Sequence, residues 1–235
     1  MNSLVKHIPN TITTLNLICG LLGVVFAFKG RSDIAFCLML LASVFDFCDG
    51  GAARLLNAYS PMGKELDSLC DMDSFGVLPS IMAYVGYGQT SVVPLVMAVA
   101  AALRLAKFNI DDNQHDSFIG LATPVSALFM GALCCFSAHE PSSFVGELFV
   151  RKWFLPMLSV GLSILNVCAL PMFSMKFKKT DTRVIKLKRE IFLSACVLAA
   201  IAVLCLRIYW PMMVLLSTLI YIVLNLLFLI PLWRR

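Results

Sequence analysis

Eight apolar runs, each near the length that crosses a bilayer, constrain this chain more than any other feature of its sequence. A hydrocarbon core about 30 Å thick takes roughly 20 apolar residues per helical crossing. Every backbone N–H and C=O in such a crossing must find its partner within the segment, which selects helices. The runs fall at approximately Thr11 to Phe28, Ile34 to Leu56, Leu66 to Tyr87, Ser91 to Lys107, Pro124 to Ala138, Trp153 to Phe173, Ile191 to Arg207 and Trp210 to Trp233. The balance of the whole chain agrees: 60% of the 235 residues are hydrophobic and 14% charged, outside the range of soluble domains. The expectation is an all-α polytopic membrane protein of about eight transmembrane helices, with six or seven left open because the fifth run is short. No repeat, low-complexity tract or long linker divides it, so residues 1–235 read as one domain. The opening MNSLVKHIPN is followed by a run without a small-residue cleavage site, which reads as a first crossing and not as a cleavable signal.

Charge gives the orientation. The 19 Lys and Arg exceed the 14 Asp and Glu by five, and their placement matters more than their sum. Alternating eight helices from a cytoplasmic N-terminus puts Lys6, Arg54, Lys64, Arg104, Lys107, the Lys176 to Arg189 cluster, Arg234 and Arg235 inside. Only Lys29, Arg31, Arg151, Lys152 and Arg207 fall outside. The positive-inside rule then favours both termini in the cytoplasm, expected here to be that of a bacterium with the chain in its inner membrane. The cluster KFKKTDTRVIKLKRE reads as a topological anchor that also meets anionic headgroups. Nine scattered Cys and three isolated His, at 7, 115 and 139, support neither a disulfide framework nor a zinc site; the Cys read as small buried hydrophobes.

Against this background the stretch DFCDGGAARLLNAYSPMGKELDSLCDMDS, Asp46 to Ser74, is out of place. A carboxylate at the centre of a membrane helix costs about 2.5–3.5 kcal/mol on insertion scales, so these side chains must face one another, a wet cavity or cations. Asp46 and Asp49 stand three apart and Asp67 and Asp71 four apart, so each pair shares a helix face, and two facing helices would gather four carboxylates. An oxygen-only set without His or Cys suits Mg²⁺ or Mn²⁺. A polar cavity or an ion path, as in an ion-coupled transporter, is the other reading of intramembrane Asp. Gly50, Gly51, Ala52 and Ala53 leave one helix face nearly bare, which serves either close helix packing or a close ligand. Arg54 suits phosphate. Together with Gly63 these residues compose a candidate diphosphate site with bridging metals.

The same residues resemble the signature of the CDP-alcohol phosphatidyltransferases. Its fixed positions are filled by Asp46, Asp49, Gly50, Ala53, Arg54, Gly63, Asp67 and Asp71. The wider likeness runs from IPNTITTLNL to about Phe129. The resemblance implies an integral membrane enzyme, commonly homodimeric, with a core of about six helices and an active site open to the cytoplasm. The last two helices, about 190–233, would be additions to that core. The family moves a phosphatidyl group from a CDP-linked lipid to an alcohol and releases CMP. By its pattern Asp46, Asp49 and Asp67 hold divalent metal, two ions being expected, with Asp71 near enough to add a ligand and also placed as the general base. Gly50, Ala53 and Gly63 would admit the nucleotide, and Arg54 would hold its phosphate. Asp73 lies outside the signature and reads as a polar residue lining a helix.

The acceptor alcohol must come from elsewhere. IPNTITTLNLICG and AALRLAKFNIDDNQHDSFIGLATPVSA resemble the phosphatidylserine synthase branch, with Lys107 and Ala122 where that branch commonly has Arg and Pro. Arg104 and Lys107, three apart beside Asn109, form a candidate group for a serine carboxylate or a lipid phosphate; two snorkelling cations at a helix end is the plainer reading. Asn10 reads equally as an N-cap or, with Thr13, as a contact to nucleotide. The resemblance thus implies CDP-diacylglycerol and L-serine as substrates and the bilayer as surroundings, with no nucleic acid partner. Glycerol 3-phosphate is the second acceptor, and an ion-coupled transporter the alternative of a different class.

Overall fold

The computed structural model describes residues 7–110, 118–172 and 183–229. Lys6, His115, the Asp111 to Ser117 segment, Arg234, Arg235 and the side chains of the basic cluster up to Lys186 lie outside the described residues. The described residues form ten α-helices, in order α1 Ile8–Phe28, α2 Ser32–Leu55, α3 Pro61–Asp71, α4 Leu78–Gly86, α5 Val96–Ile110, α6 Thr123–His139, α7 Phe144–Val150, α8 Phe154–Val167, α9 Arg183–Cys205 and α10 Pro211–Leu229. A π-helical turn, Met72–Val77, joins α3 to α4, and a 3₁₀ turn, Val93–Leu95, leads into α5. Among the described residues the fold is all-α apart from a two-residue antiparallel pairing of β1 Phe118–Ile119 with β2 Pro171–Met172.

Among the described residues three segments, Ile8–Phe28, Ser32–Leu55 and Val93–Ile110, are long and apolar enough to cross a bilayer. The pair α7 and α8, bent by 91°, counts as a fourth if it is one span. The other expected crossings form helices that are shorter or broken by a change of helix type, or that start in a charged segment. The third run shows why: its helix begins at Pro61, not near Leu66, because Ser60 caps it by accepting the Gly63 N–H at 3.0 Å. The charged first turns that hydropathy discards are helical all the same. The sixth run ends at Val167, short of Phe173, where the chain turns into β2.

The core lies around α6, most of whose residues are buried. Gly131 of α6 lets α2 close in, since a Cβ there would stand 2.9 Å from both Met39 and Phe36. On its other sides α6 meets α4 and α10. Membrane helices associate by close packing of small residues, with no hydrophobic gain to drive them. α1 follows that rule: a Cβ at Gly23 would meet Leu78 at 2.6 Å, and one at Gly20 would strike Asp73 and Ser74. Across that contact Ser74 donates to the Asn16 carbonyl at 3.1 Å. Gly120, at φ +77°, turns the chain into α6 where any Cβ would lie 2.6 Å from the Asn166 carbonyl. Of the nine unpaired Cys, Cys19, Cys70, Cys134 and Cys135 are buried as expected, whereas Cys37, Cys48 and Cys205 are exposed on the helical surface. In a bilayer an apolar thiol gains as little from burial as from lipid, so the sequence carries no signal separating the two.

Candidate functional site

The bare, carboxylate-bearing face of α2 looks across at α3, and α1 closes the third side. Asp46 and Asp49 come from successive turns of α2 and Asp67 from the second turn of α3. One carboxylate oxygen from each lies within 4.8 Å of the others. Asp49 is buried, and its Oδ2, like Oδ1 of Asp67, has no hydrogen-bond partner. Three anions so close repel one another strongly in a low-dielectric setting, and orphaned buried carboxylate oxygens are costly unless a cation or donor meets them. The oxygen-only donor set fits a hard divalent ion.

Asp71 occupies the next turn of α3, beyond these three. It is deeply placed, interacts electrostatically with Asp46, Asp67 and Asp49, and receives a hydrogen bond from Asn16 Nδ2 at 3.3 Å on Oδ1. The four expected carboxylates thus separate into three that face one point and a fourth held by α1. The π-helical turn starts at the residue after Asp71 and resets the phase of the helix. Phe75 and Leu78 are thereby buried while the Asp71 side of α3 stays toward α1 and α2. Such insertions recur at functional sites.

Next to the three carboxylates opens a cavity of about 490 Å³. Asn10, Thr13, Gly50, Ala53 and Gly63, all singled out from sequence, line it together with Asp49 and Asp67. Gly50 and Gly51 present no obstruction, and a Cβ on Gly63 would lie 3.0 Å from Asn10 Oδ1. Asn10 is not a cap: α1 starts at Ile8 with His7 before it, and the Asn10 side chain faces α3. Thr13 is buried beside Asp49, its hydroxyl donating to the Pro9 carbonyl at 3.0 Å. Arg54 does not line the cavity; its Nε donates back to the Gly50 carbonyl at 3.2 Å from an exposed position at its rim.

The structure adds Lys64, Tyr59, Ser60 and Asn16, which the sequence reading passed over. Lys64 lines the cavity while its Nζ donates to the Asn109 carbonyl at 3.0 Å. The signal was present: 60, 63, 64, 67 and 71 fall on one face of a helix, as do 9, 13 and 16. The proposed acceptor group is divided. Arg104 turns inward, Nη1 donating to Thr123 Oγ1 at 2.7 Å with Nε unpartnered. Lys107 is exposed, and Asn109 ties α5 to α3 by donating to Ser68 Oγ at 2.9 Å. Asp73 is apart from the carboxylate group, half-buried against Gly20 with its shielded Oδ2 unpartnered.

A family profile described as CDP-alcohol phosphatidyltransferase matches residues 6–165. Among curated proteins, a Mycobacterium bovis protein named CDP-diacylglycerol–serine O-phosphatidyltransferase is 35% identical over 179 residues, 72% of this chain and 61% of the relative. Proteins of the same name from Bacillus subtilis and Helicobacter pylori are 38% identical over 128 residues and 37% over 133. These matches cover 52% of this chain and 72% of the Bacillus protein, and 54% and 56% for the Helicobacter pair. The chain spans about three fifths of the length of the mycobacterial relative.

Proposed function

The chain belongs to the CDP-alcohol phosphatidyltransferase family, and from that premise we propose that it transfers the phosphatidyl group of CDP-diacylglycerol to the hydroxyl of L-serine. The observation that carries the reading is the cavity lined by bare backbone and floored by Asp49 and Asp67, with Asp71 held just beyond. The name shared by relatives in several bacteria supports serine over other alcohols.

Asp46, Asp49 and Asp67 would hold the divalent ions, Mg²⁺ or Mn²⁺, two per site. When bound, such ions neutralise a diphosphate and stabilise the departing phosphate. Around them the chain's own residues do the rest. Gly50, Ala53 and Gly63 leave room for the cytidine diphosphate, Asn10 and Thr13 flank it, and Arg54 and Lys64 stand at the cavity to meet phosphate charge. Asp71, oriented by Asn16, takes the proton of the serine hydroxyl. The serine oxygen bonds to the phosphorus that bears the lipid, the bond from that phosphorus to the CMP oxygen breaks, and phosphatidylserine and CMP result. Arg104 faces the serine carboxylate, Asn109 keeps α5 against α3, and Lys107 lies outside as a cation of the cytoplasmic surface.

The same reading takes residues 1–235 as one integral membrane domain, supported by the packing of α10 on α6. It forms a homodimer in a bacterial inner membrane with both termini and the site cytoplasmic, as family likeness and charge placement suggest. The test is CMP release by the purified protein from CDP-diacylglycerol with Mg²⁺ or Mn²⁺. Serine, glycerol 3-phosphate and inositol phosphate are supplied separately, with a chelator control. Chelator-sensitive release with serine alone is expected; release with another alcohol would correct the acceptor, and none with any would remove the transferase reading. Arg104→Ala is expected to raise the KM for serine about tenfold to a hundredfold, the worth of a hydrogen bond to a charged group. The KM for CDP-diacylglycerol stays near its original value. Equal rises in both would make Arg104 structural.

A further inference from the structure

Arg104 is a half-buried cation with a single hydrogen bond. Among the described residues its guanidinium donates only to Thr123 Oγ1, from Nη1 at 2.7 Å, and Nε has no partner. A charged side chain in a membrane protein's interior is costly and marks function, and an arginine's long flexible stem leaves the placement of its charge to the contact that holds it. α5 supplies the depth. At one end Asn109 donates to Ser68 of α3 at 2.9 Å; at the other, a Cβ on Gly76 of the π-helical turn would stand 3.0 Å from Ala101. α5 therefore runs antiparallel along α3 and the turn, and at an equal rise per residue Arg104 comes level with the stretch from Asp71 to Asp73. The hydroxyl that receives its bond is itself built in. Thr123 opens α6 and is 0% exposed, as is Ser126 on the same helix, and Asn166 near the end of α8 is 2% exposed, so water does not compete for their bonds. Ser126 Oγ donates to the Thr123 carbonyl at 3.0 Å and accepts from Asn166 Nδ2 at 3.1 Å. Just before α6 the Leu121 N–H donates to the Leu165 carbonyl and the Gly120 N–H to the Leu170 carbonyl, both at 2.8 Å. The first turn of α6 is thus fixed to α8 and the chain after it through main-chain and side-chain bonds, and buried networks of this kind hold one arrangement.

We propose that Thr123 is a positioning residue for the acceptor: its hydroxyl fixes the Arg104 guanidinium where the acceptor's carboxylate is received, and Ser126 and Asn166 in turn fix Thr123. This rests on the transferase reading above. It gives the start of α6 and the end of α8 a role in acceptor binding and none in holding the nucleotide, because the cavity beside Asp49 and Asp67 is lined entirely by α1, α2, α3 and the turn between the last two.

The experiment uses full-length protein in lipid nanodiscs, following CMP release with serine varied at saturating CDP-diacylglycerol and the reverse. Wild type, Thr123→Val, Thr123→Ser, Arg104→Gln and the double variant of Thr123→Val with Arg104→Gln are compared. Thr123→Val keeps the shape and removes the hydroxyl; it is expected to raise the serine KM about tenfold, the worth of a hydrogen bond to a charged group, while kcat and the lipid KM stay within about twofold. Thr123→Ser keeps an acceptor oxygen and should hold the serine KM to within about threefold of wild type. Because Thr123 acts through the guanidinium, the double variant should bind serine no worse than Arg104→Gln alone. Should Thr123→Val not fold, Thr123→Ala removes the same hydroxyl without placing a methyl in its stead and is read in the same way. Unchanged kinetics in the variant without the hydroxyl, equal shifts in both KM values, a Ser variant as impaired as it, or strictly additive losses would overturn the proposal. If the wild type uses a different alcohol, serine is the wrong acceptor, and the same split measured with that alcohol still decides the role of Thr123. If it releases CMP with none, both readings fall together.

Discussion

Asp71→Asn is expected to lower kcat for CMP release by about 10³-fold, within the 10²–10⁴ that a positioned general base supplies, while the protein still binds CDP in a metal-dependent way. The size follows from where the residue sits. Asp71 is outside the three oxygens that converge within 4.8 Å, so replacing it leaves that group intact. Asn keeps the shape and can still accept from Asn16 Nδ2, so the α1 to α3 contact survives; what disappears is the basic oxygen. Two measurements separate the roles: single-turnover CMP release for chemistry, and calorimetric titration with CDP in Mg²⁺ for binding. A variant that turns over at near the original rate would remove Asp71 as the base. One that loses CDP binding in parallel with turnover would place Asp71 among the metal ligands instead. Asn16 gives a smaller companion effect, since it orients the carboxylate without touching the proton.

The division between Asp71 and the other three is also where the sequence stops being sufficient. Spacing put Asp46 with Asp49 and Asp67 with Asp71 because helical periodicity is a local property, and local properties were legible throughout. The helices around Thr11, Ile34 and Pro124 lie within a few residues of where apolar runs place them. Gly50, Ala53 and Gly63 line the cavity that their lack of side chains suggested. What spacing does not carry is the phase between one helix and the next. The π-helical turn at Met72–Val77 inserts its extra residue through contacts with α1, at Gly20 and Asn16, which lie some fifty residues away in sequence. The same limit separated Arg104 from Lys107, three residues apart on α5 and yet one inward and one outward, because Thr123 of α6 captures the first. Hydropathy also misjudged α3, whose polar first turns are stabilised by the Ser60 cap and by Asn109, neither of which an apolar window counts.

Asp67→Asn tests the metal group through stability as well as rate, with opposite signs in the two conditions. In the wild type without metal, Asp46, Asp49 and Asp67 confront one another with Asp49 Oδ2 and Asp67 Oδ1 lacking any partner, an arrangement that weakens the fold until a cation arrives. Ligand that binds only the folded protein stabilises it by RT ln(1 + [L]/Kd), about 2.7 kcal/mol at a hundredfold excess over Kd. The wild type should therefore melt at a distinctly higher temperature in Mg²⁺ or Mn²⁺ than in chelator. Asp67→Asn removes one of the mutually repelling charges, so in chelator it should melt no lower than the wild type, and most of its response to metal should be gone. Turnover should fall about 10³-fold or more, since the several kcal/mol that a cation gives a departing phosphate are lost with it. Excess Mn²⁺ should restore part of that loss. A wild-type melting temperature indifferent to metal and chelator would mean that the three carboxylates hold no ion. Asp67→Asn melting well below the wild type in chelator would mean that they are held by hydrogen bonds within the protein, and that the orphaned oxygens are met by water.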